Sequence, residues 1–309
     1  MTMVHIDSAT AKAKFLKEAF TLKHSLAGHP LFTLPRLVEL AKSLPRDRIE
    51  YNSGKVAVDV KPEDVPRIDK SPEDVIRSIE VDNAWMVLKR VESHPAYRSV
   101  LESFVREANL AAGRQPGDFE DIQGFIFVSS ANATTPFHID AEENILIQLH
   151  GDKFVRTFDN GDRALVPEEE MELSPSKHRN MPYEDWYESR ATLHALKPGD
   201  ALHMPYMIPH WVATGNSYSI SMAMTWKTPE VVRLNKIRTM NGTLRRFGMP
   251  QRPPGVSPAR DAAKVILHDA LRTVIEPLRK SERVRTFLRA AIYGKQANYY
   301  LSAKPEQGA

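Results

Sequence analysis

The sequence predicts an α+β fold: a β-sandwich or barrel in the middle of the chain, mixed helices and strands before it, and helices after it. Three observations carry this expectation. Across residues 121–226 short apolar runs alternate with turn signals. Ahead of them helical and strand-like spacings are interleaved, and after Pro229 the strand pattern stops and helical spacing returns.

The first part supplies three helices. Over residues 8–26, Phe15, Leu16, Ala19, Phe20 and Leu22 recur at helical spacing behind an Asp or Ser cap. Ser71-Pro72-Glu73-Asp74 marks a second helix, with Ser71 as cap and Pro72 in the first turn. Residues 97–112 form a third, stopped by Gly113. Residues 55–60 and 84–91 read as strands.

In the middle, the runs 122–128, 145–149, 154–158, 201–204 and 219–226 read as strands, with turns at Asp159-Asn160-Gly161-Asp162 and Lys197-Pro198-Gly199-Asp200. A polar stretch, 167–189, interrupts them. It contains Glu168-Glu169-Glu170 and then Tyr183, Trp186 and Tyr187, and reads either as a solvated excursion or as a lid or substrate-contacting loop.

Beyond Pro229, Val231, Val232, Leu234 and Ile237 restore helical spacing up to a Gly- and Pro-rich break at 248–255. Apolar positions such as Val265, Ile266, Leu271, Val274 and Leu288 then predict two or more amphipathic helices, with most of the Arg residues on their other faces. The chain thus divides into 1–228, with its β core at about 121–226, and a basic helical segment, 229–309.

Composition narrows the chemistry. The 309 residues are 42% hydrophobic and 26% charged, the balance of a folded globular protein. With no cysteine, thiolate zinc sites, iron–sulfur clusters, disulfides and cysteine nucleophiles are excluded, and His and carboxylates remain as metal ligands. The N-terminus mixes charges among its apolar residues and lacks the apolar core of a signal peptide or membrane span, so a cytoplasmic location and no membrane partner are expected. The net charge of +3 is small but uneven: residues 227–309 hold 17 Lys or Arg against 6 Asp or Glu, so the rest of the chain is acidic.

Chemistry concentrates in Thr134-Thr135-Pro136-Phe137-His138-Ile139-Asp140. Side chains two apart on a strand share a face, so His138 and Asp140 can grip one ion while Ile139 packs into the opposite layer. His210, at the end of the run from Gly199-Asp200-Ala201-Leu202 through Pro205 to Pro209, is the third candidate. Two imidazoles and one carboxylate on one face leave coordination positions open, as in non-haem Fe(II) oxygenases. Lys153 follows Asp140 on what should be the next strand. Alone it reads as a surface lysine; beside the triad it reads as a partly buried ammonium that needs an anion, such as a carboxylate of 2-oxoglutarate.

These residues resemble a known family. Thr-Pro-x-His-x-Asp at 135–140, Asn144, Gly151-x-Lys153, and Gly199-Asp200-x-Leu202-x-x-Pro205 leading to His210 are similar to the JmjC-type 2-oxoglutarate hydroxylases. Within them the spacing resembles most the asparaginyl-hydroxylase type that acts on hypoxia-inducible factor, and its bacterial cupin-like relatives. The resemblance covers about 124–226. It implies a double-stranded β-helix (jelly-roll, cupin/JmjC) core, Fe(II) held by His138, Asp140 and His210, and the distal carboxylate of 2-oxoglutarate held by Thr135 and Lys153. Asn144 would contact the cosubstrate near the metal. Where the asparaginyl-hydroxylase type has a second asparagine on the last strand, this chain offers Met224 or Thr225.

The remaining histidines read differently. His203 reads as a packed or hydrogen-bonded imidazole, His150 and His194 as structural, and His178 as solvated in the polar stretch. Trp211 and Trp226 read as core.

The leading functional expectation is an Fe(II)- and 2-oxoglutarate-dependent oxygenase that consumes O₂ and either hydroxylates or demethylates an unidentified prime substrate, a peptide or protein side chain or a small molecule. A non-catalytic cupin-like binding or regulatory protein is the alternative; the intact ligands and Lys153 argue against it. A nucleic-acid partner rests only on the basic C-terminal segment, where aromatic residues are sparse, and is not favoured. No His-Glu-x-x-His, Gly-x-Ser-x-Gly, P-loop or dinucleotide fingerprint is present. The C-terminal helices are expected to mediate homodimerisation.

Overall fold

Alternation governs the start of the chain more than helical spacing does. In the computed structural model of the protein, which describes residues 2–114, 119–176 and 180–278, β1 (Val4–His5) is followed by a short α1 (Ser8–Lys14) capped by Asp7, whose carboxylate accepts the Thr10 amide. The expected helix over 8–26 is therefore corrected. The chain turns at Leu16 (φ 64°), and β2 (Phe20–His24) buries Phe20, Leu22 and His24 on one face with Thr21 and Lys23 outside.

After α2 (Leu34–Ser43) comes β3 (Ile49–Ser53). The strand expected at 55–60 is not there. That segment turns on itself, Val60 N–H donating to the Ala57 carbonyl, and touches the site strand only through Phe137 N–H to the Val58 carbonyl. The other early expectations hold. In α3 (Pro72–Arg77) the Ser71 hydroxyl caps the Asp74 amide; β4 (Ala84–Lys89) follows; and α4 (Pro95–Ala111) ends before Gly113 at φ 71°.

Among the described residues the middle of the chain is mostly strand, with one short α-helix and a 3-10 turn over Asp185–Arg190. Its elements are β5 (Glu120–Ser129), β6 (Thr134–His138), β7 (Glu143–His150), β8 (Lys153–Thr157), α5 (Glu168–Leu173), β9 (Thr192–Leu196), β10 (Asp200–Met204), β11 (His210–Thr214) and β12 (Ser219–Lys227). They pair antiparallel into an eight-stranded sheet, ordered β1-β2-β10-β7-β12-β5-β4-β3, and a four-stranded sheet, β6-β11-β8-β9. This is the double-stranded β-helix architecture.

Strand alternation divides the core in two. The outer faces of β4, β5, β7, β10 and β12 present Met86, Ile126, Ile147, Ala201 and Met224 to α2, α3 and α4, whose buried faces include Leu37, Ile76 and Phe104. The inner faces bring Leu146, Val155, Leu196, Leu202, Val212 and Ala223 together between the two sheets. Burial of such side chains at about 25 cal/mol per Å² of apolar surface is the main term holding both layers.

The described residues fall into two compact units: 2–114, 119–165 and 180–231 in the first, and 166–176 and 232–278 in the second. In the second, α6 (Pro229–Arg246) continues from the first unit and α7 (Pro258–Leu278) follows the Gly-rich break, where Gly248 and Gly255 take φ 80° and 90°. The acidic run in α5 is not a solvated excursion. Glu168 pairs with the buried Arg238, and Glu172 receives two hydrogen bonds from Arg245 at 2.8 and 2.9 Å. The helical position expected at Leu288 lies outside the described residues, as does His178.

Candidate metal and cosubstrate site

A register shift positions the first ligands. In the β6–β11 pair His138 lies opposite His210 and Thr135 opposite Val212, so two residues of β6, Pro136 and Phe137, are matched by one of β11, Trp211. This bulge lets Thr135 and His138, an odd number apart, both face the interior. Asp140 lies two residues past the paired part of β6, and its carboxylate shares a face with His138, as the spacing predicts; the chain bends just after it, at 141–142. The bend is held by Met207 N–H donating to the Asp140 carbonyl at 2.9 Å.

His138, Asp140 and His210 each offer one ligand atom within 4.8 Å of the others, and are the group of that kind among the described residues. Each imidazole Nε2 is 3.9 Å from Asp140 Oδ2. Each Nδ1 lies within hydrogen-bond reach of the carbonyl two residues upstream, His138 to Pro136 at 2.7 Å and His210 to Ile208 at 2.9 Å. With that hydrogen bond made, Nδ1 carries the proton and the Nε2 lone pair faces the carboxylate. Burial first, then His138, pull the His210 imidazole down to about 4, so it is neutral. Neutral nitrogen donors, one carboxylate and an uncovered side fit a divalent iron ion.

Further along the same interior lies Lys153, 4% exposed. Burial alone pushes its ammonium down to about 7, and among the described residues no carboxylate pairs with it. Its Nζ stands 5.7 Å from the centre of the Phe127 ring. A surface lysine is thereby excluded. A buried cation facing the barrel interior fits the carboxylate of a small dicarboxylate.

Alternation also separates Met224 from Thr225. Met224 belongs to the outer core, whereas Thr225 is the register partner of both Asn144 and Gln123 on the inner face. Thr225 Oγ1 and Asn144 Oδ1 are buried with no hydrogen-bond partner among the described residues, while Asn144 Nδ2 reaches Asp140 Oδ2 at 3.4 Å. Two orphaned oxygens beside a metal-ligand set are what an absent polar ligand leaves behind.

The other histidines divide. His203 is fully buried between Phe15 and Phe20, with Nδ1 3.2 Å from the Glu18 carbonyl, as expected of a packed imidazole. His150 stacks on Tyr218. His194 sits opposite Val155, with Nε2 3.0 Å from Thr157 Oγ1, so it faces the interior. Sequence reasoning missed two inner-face groups, Thr157 and the Trp85 indole, which donates to Thr135 Oγ1 at 2.9 Å, and, on the opposite face of β7, Glu143, which accepts from the Tyr206 amide at 3.1 Å. Burial raises Glu143 to about 8. Only the alternation of β4 hinted at Trp85.

The described part of the 167–189 stretch is not an open loop. Met181 N–H donates to the Phe137 carbonyl at 2.7 Å, and Tyr183 and Tyr187 pack edge-on against Phe137. Trp211 carries the Arg156 guanidinium on its ring at 4.3 Å, and Trp226 is fully buried.

Residues 120–234 match the family model described as JmjC domain. Among curated proteins none matches the sequence. The fold is similar to the X-ray structure of *E. coli* ycfD, at 15% identity and a TM-score of 0.52, covering 94% of this chain and 73% of that one. A structure of YcfD, a ribosomal oxygenase from *Escherichia coli*, in complex with cobalt and 2-oxoglutarate, is 15% identical with a TM-score of 0.48, covering 90% and 68%.

Proposed function

We propose that this chain, an Fe(II)- and 2-oxoglutarate-dependent oxygenase carrying a JmjC domain, hydroxylates a C–H bond of a peptide or protein side chain. The observation that carries the reading is a three-ligand face and a buried, unpaired Lys153 inside one barrel. The asparaginyl-hydroxylase spacing of Asp140, Asn144 and Lys153 supports the peptide substrate. When bound, iron and 2-oxoglutarate supply the oxidising chemistry, with O₂ consumed and succinate and CO₂ released.

The chain's own residues do the rest. His138, Asp140 and His210 hold the metal from one side and leave the other open. Lys153 and the Thr135 hydroxyl take the distal carboxylate. Asn144 and Thr225 take polar atoms near the metal. Leu146, Val155 and Val212, buried between the two sheets, give the interior an apolar surround, which strengthens each of those polar contacts.

The test is succinate formation from 2-oxoglutarate by the Fe(II)-loaded protein, then mass spectrometry for a gain of one oxygen in candidate peptides. Turnover that oxidises only a small molecule would replace the peptide reading; absence of turnover with iron and 2-oxoglutarate bound would favour a binding protein.

We further propose that the second unit makes the chain a homodimer. Ile266, Leu267, Leu271 and Val274 leave an apolar stripe exposed along α7.

A further inference from the structure

Trp85 stands on the inner face of β4, in register with Ser129 of β5, and reaches across to the other sheet. Its indole N–H donates to Thr135 Oγ1 at 2.9 Å. An indole nitrogen can only donate, so Thr135 Oγ1 must accept, and its own proton must point elsewhere. Among the described residues that proton has no acceptor. The Trp85 ring also packs 5.9 Å from Phe127, the ring beneath the Lys153 ammonium. One aromatic pair thus backs both proposed contacts to the distal carboxylate.

We propose that Trp85 is a positioning residue that occupies one lone pair of the Thr135 hydroxyl and so biases it to present its proton to the carboxylate of the cosubstrate. Without the indole N–H the hydroxyl could turn its proton away, and the anion would meet oxygen lone pairs. The inference rests on the reading of Lys153 and Thr135 as the carboxylate site. It adds a residue that touches neither metal nor cosubstrate.

The test is anaerobic titration of the Fe(II)-loaded full chain with 2-oxoglutarate for Trp85→Phe, Thr135→Val, the double variant and Lys153→Ala. Trp85→Phe should weaken binding about 3- to 10-fold, the range of one lost hydrogen bond. In the Thr135→Val background the same change should do nothing, because the group it orients is gone. Wild-type affinity in Trp85→Phe, or effects that multiply in the double variant, would overturn the proposal. If Lys153→Ala also binds as wild type, the carboxylate site itself is misread; if Lys153→Ala is weak and Trp85→Phe is tight, only Trp85 is.

A second measurement needs no change at Trp85. In the Zn(II)-loaded protein, adding 2-oxoglutarate should shift the Trp85 indole ¹⁵N–¹H resonance, because donation by the Thr135 hydroxyl polarises the bond it accepts. An unmoved resonance at saturating 2-oxoglutarate would sink the idea.

Discussion

Lys153 sets the terms at the scale of single residues. Its ammonium titrates near 7 in the folded apoprotein against 10.5 when solvated. Between those values the unfolded chain holds a proton that the folded one has shed, so apoprotein stability rises with pH across the window; below about 7 the full penalty is present. Lys153→Met should therefore stabilise the apoprotein at pH 6 by on the order of 3 kcal/mol, read by urea denaturation, while abolishing cosubstrate binding. Equal stability would mean that the ammonium is solvated. Binding of the dianion needs the protonated lysine, so 2-oxoglutarate affinity should fall by about tenfold per pH unit above 7. That slope should vanish in Lys153→Ala. Asp140→Ala removes the only formal negative charge among the three ligands, and should abolish iron retention on gel filtration under argon. The triad and Lys153 were legible in the sequence because residue type and spacing are chemical constraints. Trp85 and Thr157 were not, since their partners come from strands far away in the chain.

Among the elements, the turn between β7 and β8 shows how a motif residue acts through backbone alone. Gly151 takes φ 69°, and a Cβ placed there would lie 2.2 Å from the Tyr218 carbonyl oxygen. Gly151→Ala forces that turn open one residue before the strand that carries Lys153, and should cost about 2 to 4 kcal/mol in chemical denaturation. A cost under about 0.5 kcal/mol would show that the turn is not constrained. β5, β7, β8, β10 and β12 were legible from short apolar runs and turn residues. The error over 8–26 arose because Phe15, Leu16, Ala19 and Phe20 satisfy helical spacing by chance across a turn, while Phe20, Leu22 and His24 alternate. β9 stayed hidden for another reason: its Thr192, Leu193 and Ala195 are exposed, so no apolar pattern announces it. The bulge between β6 and β11 was not legible, because bulges have no composition signal of their own.

At the scale of the whole molecule, the second unit carries the exposed apolar residues of α7, and sedimentation of the full chain should give twice the monomer mass. Leu267→Glu with Leu271→Glu should return it to a monomer with iron binding intact. A wild-type monomer at micromolar concentration would refute the dimer. In the first unit, the Met207 amide bonded to the Asp140 carbonyl joins two connections that are almost seventy residues apart in sequence, each leading to or from a metal ligand. Neither connection can loosen without the other. That amide is consequently a built-in gauge of occupancy: its deuterium exchange should slow when iron is loaded and quicken when a chelator strips it, reporting the state of the centre without any turnover at all.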